Sequence, residues 1–106
     1  MTRFSKEKVE RHIRRNHPGC PDFAVTYIAQ RVSDRDWQKL SLGAAVGIMM
    51  QTVLRHEMTD YDQLLLIGVE RQEARRRVQW KIHRMLEMWK KKPEPPKEMS
   101  IDASRT

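Results

Sequence analysis

The stretch from Gly68 to Lys92 sets the terms for the rest of the chain, because it is the longest uninterrupted helical pattern in the sequence. At about 100° per residue, Ala74, Val78, Ile82, Met85 and Trp89 form one stripe wide enough to pack on a core. Within residues 71–92 nine Lys or Arg stand against two Glu, a net +7, while all other residues together carry twelve of each sign. The formal +7 of the chain therefore sits on this one segment. Glu73 with Arg77 and Glu87 with Lys91 read as acid-first i,i+4 pairs. Lys90, Lys91 and Lys92 suit the negative end of the helix dipole, and Pro93 is expected to stop the helix. Trp80 falls almost opposite the apolar stripe, among Arg76, Arg77 and Arg84. Such a ring can stack on a base, lie in a partner's groove, or pack under another segment of its own chain.

Length bounds what can surround this helix. A chain of 106 residues predicts one helical domain over 1–92, followed by a disordered polar, proline-rich tail over 93–106. Charged residues at 33% with few aromatics and sparse β-branched residues favour helices over sheet. A single cysteine excludes an internal disulfide and fits a reducing compartment. The N-terminus shows no apolar signal-peptide core, and Leu40–Leu54, at about 15 residues, is short for a membrane span. A soluble cytoplasmic protein without a membrane partner is the expectation.

The remaining elements follow in order. Residues 5–16 read as a first helix with Ser5 as N-cap and Val9 and Ile13 inward; residues 3–15 hold six bases and two acids. His17 to Pro21 is a turn, with Pro21 opening a second helix whose inward stripe is Phe23, Ala24, Tyr27, Ile28 and Val32. Ser33 to Asp36 has the spelling of a capping box, predicting a short helix or turn over 34–40 with Trp37 and Leu40 inward. Residues 41–57 form the most hydrophobic and central helix, carrying Leu42, Ala45, Val46, Met49, Val53 and Leu54. Gly43 and Gly47, with Ala44, predict a thin surface for a close helix approach, since glycine inside a helix costs about 1 kcal/mol. Thr59 to Asp62 repeats the capping-box spelling and opens a helix over 60–66, with Leu64 and Leu65 inward and Gly68 as its breaker. The fold expected is all-α, a compact bundle of four to five helices with a long basic C-terminal helix.

Four constellations bear on function. Residues 60–79 read as a helix-turn-helix, with Ile67-Gly68-Val69 as the turn and Arg71, Gln72, Arg75, Arg76 and Gln79 facing outward. Against DNA readout stand the leucines at the crossing and a second helix about twice the usual length; the same pattern occurs in ordinary bundles. His12, His17 and Cys20, with His56 in reach, make one loose cluster where a structural zinc site wants two formed pairs, so no metal is expected. Arg55, His56, Asp60, Tyr61 and Asp62 gather groups fit for acid–base work, yet no nucleophile or phosphate loop accompanies them and capping explains the carboxylates. Neither enzyme nor cofactor is expected. Finally, the methionines, among them Met49, Met50, Met85 and Met88, suit either core filling or an adaptable interface.

The string RHEMTDYDQLLLIGVERQEARRRV, closed by Trp89, resembles an uncharacterised family of bacteria and fungi, the domain of unknown function numbered 2293. Its pattern falls on Arg55, His56, Thr59, Tyr61, Asp62, Leu64, Leu65, Arg71, Ala74, Arg75 and Trp89, and His17-Pro18-x-Cys20-Pro21 matches its start. The resemblance lends no activity. It implies that Arg55, His56, Tyr61, Asp62 and Arg75 belong to one surface. From the residues themselves the leading expectation is nucleic-acid binding through Arg71, Arg75, Arg76, Arg77, Lys81 and Arg84, with Trp80 as a stacking group. The alternative is a non-enzymatic interaction or oligomerisation module meeting an acidic partner or itself. A merely solvated charged face is the bland third reading.

Overall fold

The structure, a computed structural model, describes residues 1–92; the expected tail over 93–106 lies outside the described residues. Five helices follow one another, α1 (Lys6–Asn16), α2 (Asp22–Ser33), α3 (Leu42–Glu57), α4 (Tyr61–Leu66) and α5 (Arg71–Lys90), with no strand among the described residues. The all-α bundle with a long C-terminal helix is thus what the chain forms. Helix α3 is central, because it packs on all four others.

Local chemistry accounts for most boundaries. The hydroxyls of Ser5 and Ser41 accept from the amides of Lys8 and Ala44, taking up donors that the first helical turn leaves orphaned. The α5 start is held by Glu70, whose carboxylate accepts from the amides of Gln72 and Glu73. Gly68 closes α4 at φ +95°: its amide donates to Leu65 and that of Val69 to Leu64, the double bond of a Schellman motif. Pro21 turns out to be the N-cap of α2 rather than its first helical residue.

One cluster of buried side chains forms the core. It contains Val9 and Ile13 of α1, Ala24, Val25, Ile28, Ala29 and Val32 of α2, the α3 stripe, and Ala74, Val78, Ile82 and Trp89 of α5. Leu42, Leu64, Leu65 and Met85 are partly buried against it. The second-helix stripe needs correction. Phe23 and Tyr27 are 67% and 41% exposed, because α2 lies between α1 and α3. That placement centres its buried arc on Ala24, Val25, Ile28, Ala29 and Val32, and the two aromatics fall at its solvent-facing edge, beside Val53 and Glu57 of α3.

Of the short helix or turn expected over 34–40, the turn is what forms, closed by the Leu40 amide donating to the Trp37 carbonyl, and the capping box is absent. Ser33 ends α2 and its hydroxyl donates back to the Gln30 carbonyl. Asp36 instead accepts from the amides of Thr2, at 2.8 Å, and Gln38, at 3.1 Å. Those bonds hold its carboxyl below the ordinary carboxylate range. Trp37 is buried and its indole donates to the Val32 carbonyl, whereas Leu40 is exposed. Gln38 and Lys39 take positive φ to turn the chain into α3.

Two further expectations fail for geometric reasons. A Cβ on Gly43 would meet only the His12 ring, at 3.8 Å, and one on Gly47 would meet nothing within 4 Å, so no helix crosses closely there. The close approach belongs to Gly19, where a Cβ would lie 2.5 Å from the Lys91 carbonyl oxygen and 2.6 Å from that of Met88. Glu87 pairs with Lys90, at 3.7 Å, and not with Lys91, because the helix ends at Lys90 and Lys91 is already extended.

Candidate functional site

Helix α5 presents its charge unevenly. Arg71, Arg75, Arg76, Arg77 and Arg84 are exposed and Lys81 is half-buried. Glu73, one turn before Arg76 and Arg77, binds both guanidiniums, Arg77 Nε at 3.1 Å. The Lys81 ammonium lies 4.0 Å from Asp60. Arg71, Arg75 and Arg84 have no acidic partner among the described residues. The cations best placed to meet an outside anion are therefore these three, a distinction that counting charges does not reveal.

Trp80 is 56% exposed and does not pack under its own chain. It lies at the lip of a hollow of about 340 Å³ walled by Met58, Met85 and Met88 and edged by Lys81 and Arg84. The Lys81 ammonium sits 5.8 Å from the ring centroid, at cation–π range. Met58 also lines a second hollow, of about 370 Å³, together with Phe23, Ala24, Tyr27, Val53 and Glu57. Arg31 stands over Tyr27, 5.5 Å from its centroid, and donates to the Tyr27 hydroxyl, which in turn donates to Glu57. Sequence reasoning missed Met58 as a neighbour of Trp80, and missed the exposed Phe23 and Tyr27, with Arg31 over Tyr27, at the second hollow that Met58 lines. The i,i+4 series Phe23, Tyr27, Arg31 was the available signal.

The α3–α4 corner brings Arg55, His56, Tyr61 and Asp62 together. His56 Nδ1 and Asp62 Oδ1 are 2.7 Å apart, and the His56 ring meets the buried Tyr61 ring edge to face at 5.3 Å. Arg55 lies over the same ring at 5.8 Å, with its Nε buried and unpartnered. The Thr59–Asp62 spelling is no capping box. Asp60 makes no side-chain cap bond, Asp62 turns to His56, and the Thr59 hydroxyl donates to the Arg55 carbonyl while accepting from the Tyr61 amide. Arg75 has no hydrogen bond or ion pair to this corner among the described residues.

Elsewhere the polar groups are dispersed. Cys20 is buried, and burial pushes its thiol up to about 11. His17 is lowered chiefly by burial, with His12 and Lys90 adding repulsion. Among the described residues no three His, Cys, Asp or Glu side chains come together as a metal site, and no helix is long and apolar enough to cross a membrane. On α1, Lys8, Arg11, His12 and Arg15 line a shallow polar hollow with Leu42.

A family model described as an uncharacterized conserved protein, DUF2293, matches residues 12–90. The chain belongs to this family. The DUF2293 match takes in the His17–Pro21 turn, the α3–α4 corner and the whole of α5, so most of the core lies inside it, Val9 at the start of α1 falling outside. No curated protein and no solved structure matches the chain significantly.

Proposed function

We propose that the protein binds nucleic acid through the exposed basic face of α5. The observation that carries this reading is that residues 71–92, α5 and the two lysines that follow it, carry a net +7, equal to that of the whole chain, and that the unpartnered cations of the helix, Arg71, Arg75 and Arg84, face water. Phosphate contacts with release of counterions would dominate the affinity. The helix–Gly68–helix arrangement of α4 and α5 places Arg71 and Gln72 at the start of the second helix, where reading motifs keep their base-contacting residues. The basic α1 adds a second patch. A cytoplasmic setting goes with the reading, since the lone Cys20 needs no oxidising compartment.

The test is a titration of labelled DNA duplex and RNA strand at about 50 and about 200 mM salt. About four phosphate contacts give on the order of a hundredfold loss across that range. Arg75→Ala combined with Arg84→Ala should weaken binding and flatten the salt slope. No binding at the lower salt sinks the reading and points to the alternative, an interaction module meeting an acidic protein or a second copy.

A further inference from the structure

Seven aromatic residues occur in the chain, and their distribution is uneven. Trp37, Tyr61 and Trp89 are buried and Phe4 is half-buried against the core. The other three, Phe23, Tyr27 and Trp80, are exposed, and all three line the two hollows that share Met58. A ring left in water forfeits the burial that normally holds aromatics inside. Three such rings on one surface, each within reach of a hollow, need a common reason.

Cations accompany them. Arg31 stands over Tyr27, Lys81 over Trp80, and Arg84 shares the Trp80 hollow. Base stacking on aromatic side chains beside a cationic track is how proteins hold unpaired strands. The methionine walls suit it, because flexible thioethers adapt to rings of different size. Glu57, at the Phe23–Tyr27 end, disfavours a phosphate there but tolerates a base. A duplex keeps its bases stacked on one another and can offer these hollows nothing. A second copy would bring Lys81 and Arg84 against like charge.

We propose that the preferred ligand is a single strand, with bases stacked on Trp80, Tyr27 and Phe23 and phosphates met by Arg84, Lys81 and Arg31. This inference rests on the nucleic-acid reading and adds the form of the strand.

The experiment compares a labelled oligothymidylate of about 12 nucleotides with a hairpin duplex carrying the same number of phosphates, both with the full chain at about 50 mM salt. Anisotropy reports affinity, and intrinsic fluorescence reports Trp80, because Trp37 and Trp89 are buried. The single strand should bind at least about tenfold more tightly and quench the emission, as stacking contributes severalfold or more per base. Trp80→Ala and Tyr27→Ala should each cost about five- to a hundredfold on the single strand and markedly less on the duplex. Trp80→Phe, which retains a stacking face, should keep most of the affinity. Equal affinities for the two forms, or a neutral Trp80→Ala, overturn the inference while salt-steep duplex binding leaves the broader reading intact. If neither form binds, both fall. An acidic amphipathic peptide that binds here when oligonucleotides do not would give the surface to a protein partner and overturn both readings.

Discussion

The backbone amide of Gly19 donates to the carbonyl of Trp89 at 2.8 Å, so the turn after α1 closes the C-terminal end of α5. The contact needs glycine for space. A methyl group at position 19 would press on two backbone carbonyls, and backbone cannot swing aside as a side chain can. Gly19→Ala should destabilise the fold by about 1–3 kcal/mol, the usual cost of overpacking. Urea unfolding measures this, and an unchanged midpoint would mean that the turn retreats freely.

Gly47 makes the opposite case. It lies inside α3 with open space where its Cβ would stand. Gly47→Ala should stabilise the protein by about 0.5–1 kcal/mol, by restricting the unfolded chain and favouring helix. A loss of stability would reveal a close neighbour that the geometry does not contain.

His17 predicts the acid side of the stability curve. Its Nδ1 is buried without a partner, and burial lowers its affinity for a proton from the ordinary 6.5. Below that value the unfolded chain takes up a proton that the native ring resists. Stability from this group is therefore present above pH 6.5 and lost as pH falls through the window beneath it. Thermal midpoints at about pH 7 and about pH 5 should differ less in His17→Gln than in the parent. Equal slopes would exclude the assignment.

Glu73 acts as a resident counter-ion on the basic face, holding Arg76 and Arg77. Glu73→Gln removes one negative charge and releases two guanidiniums. Nucleic-acid affinity should rise severalfold at low salt, with the gain shrinking as salt increases. The helix should lose under about 1 kcal/mol, since both pairs are solvent-facing. Unchanged affinity would remove this turn of α5 from the interface.

Much of this was legible in local spelling. Ser5 announces its helix, and the Ala74–Trp89 stripe is the face that α5 turns to the core, Met85 only partly buried. What escaped depends on distant partners. Asp36 has the position of a capping carboxylate, but Thr2 claims it across 34 residues. Asp62 is claimed by His56, on the preceding helix. Phe23 and Tyr27 look like core until α2 is flanked by α1 and α3. At the site, the basic residues could be named from sequence, whereas their sorting into paired and unpaired cations, and the aromatic neighbours gathered at Met58, exist only in three dimensions.

Helix α4 has six residues, fewer than an isolated helix needs to persist in water. It is held by docking on α5 and α3 and by its Schellman closure at Gly68. The His56–Asp62 and His56–Tyr61 contacts therefore exist only while that short helix is seated. Amide exchange across 61–69 should be faster than across α3, and the corner that gathers Arg55, His56, Tyr61 and Asp62 should assemble and dissolve as one local folding unit.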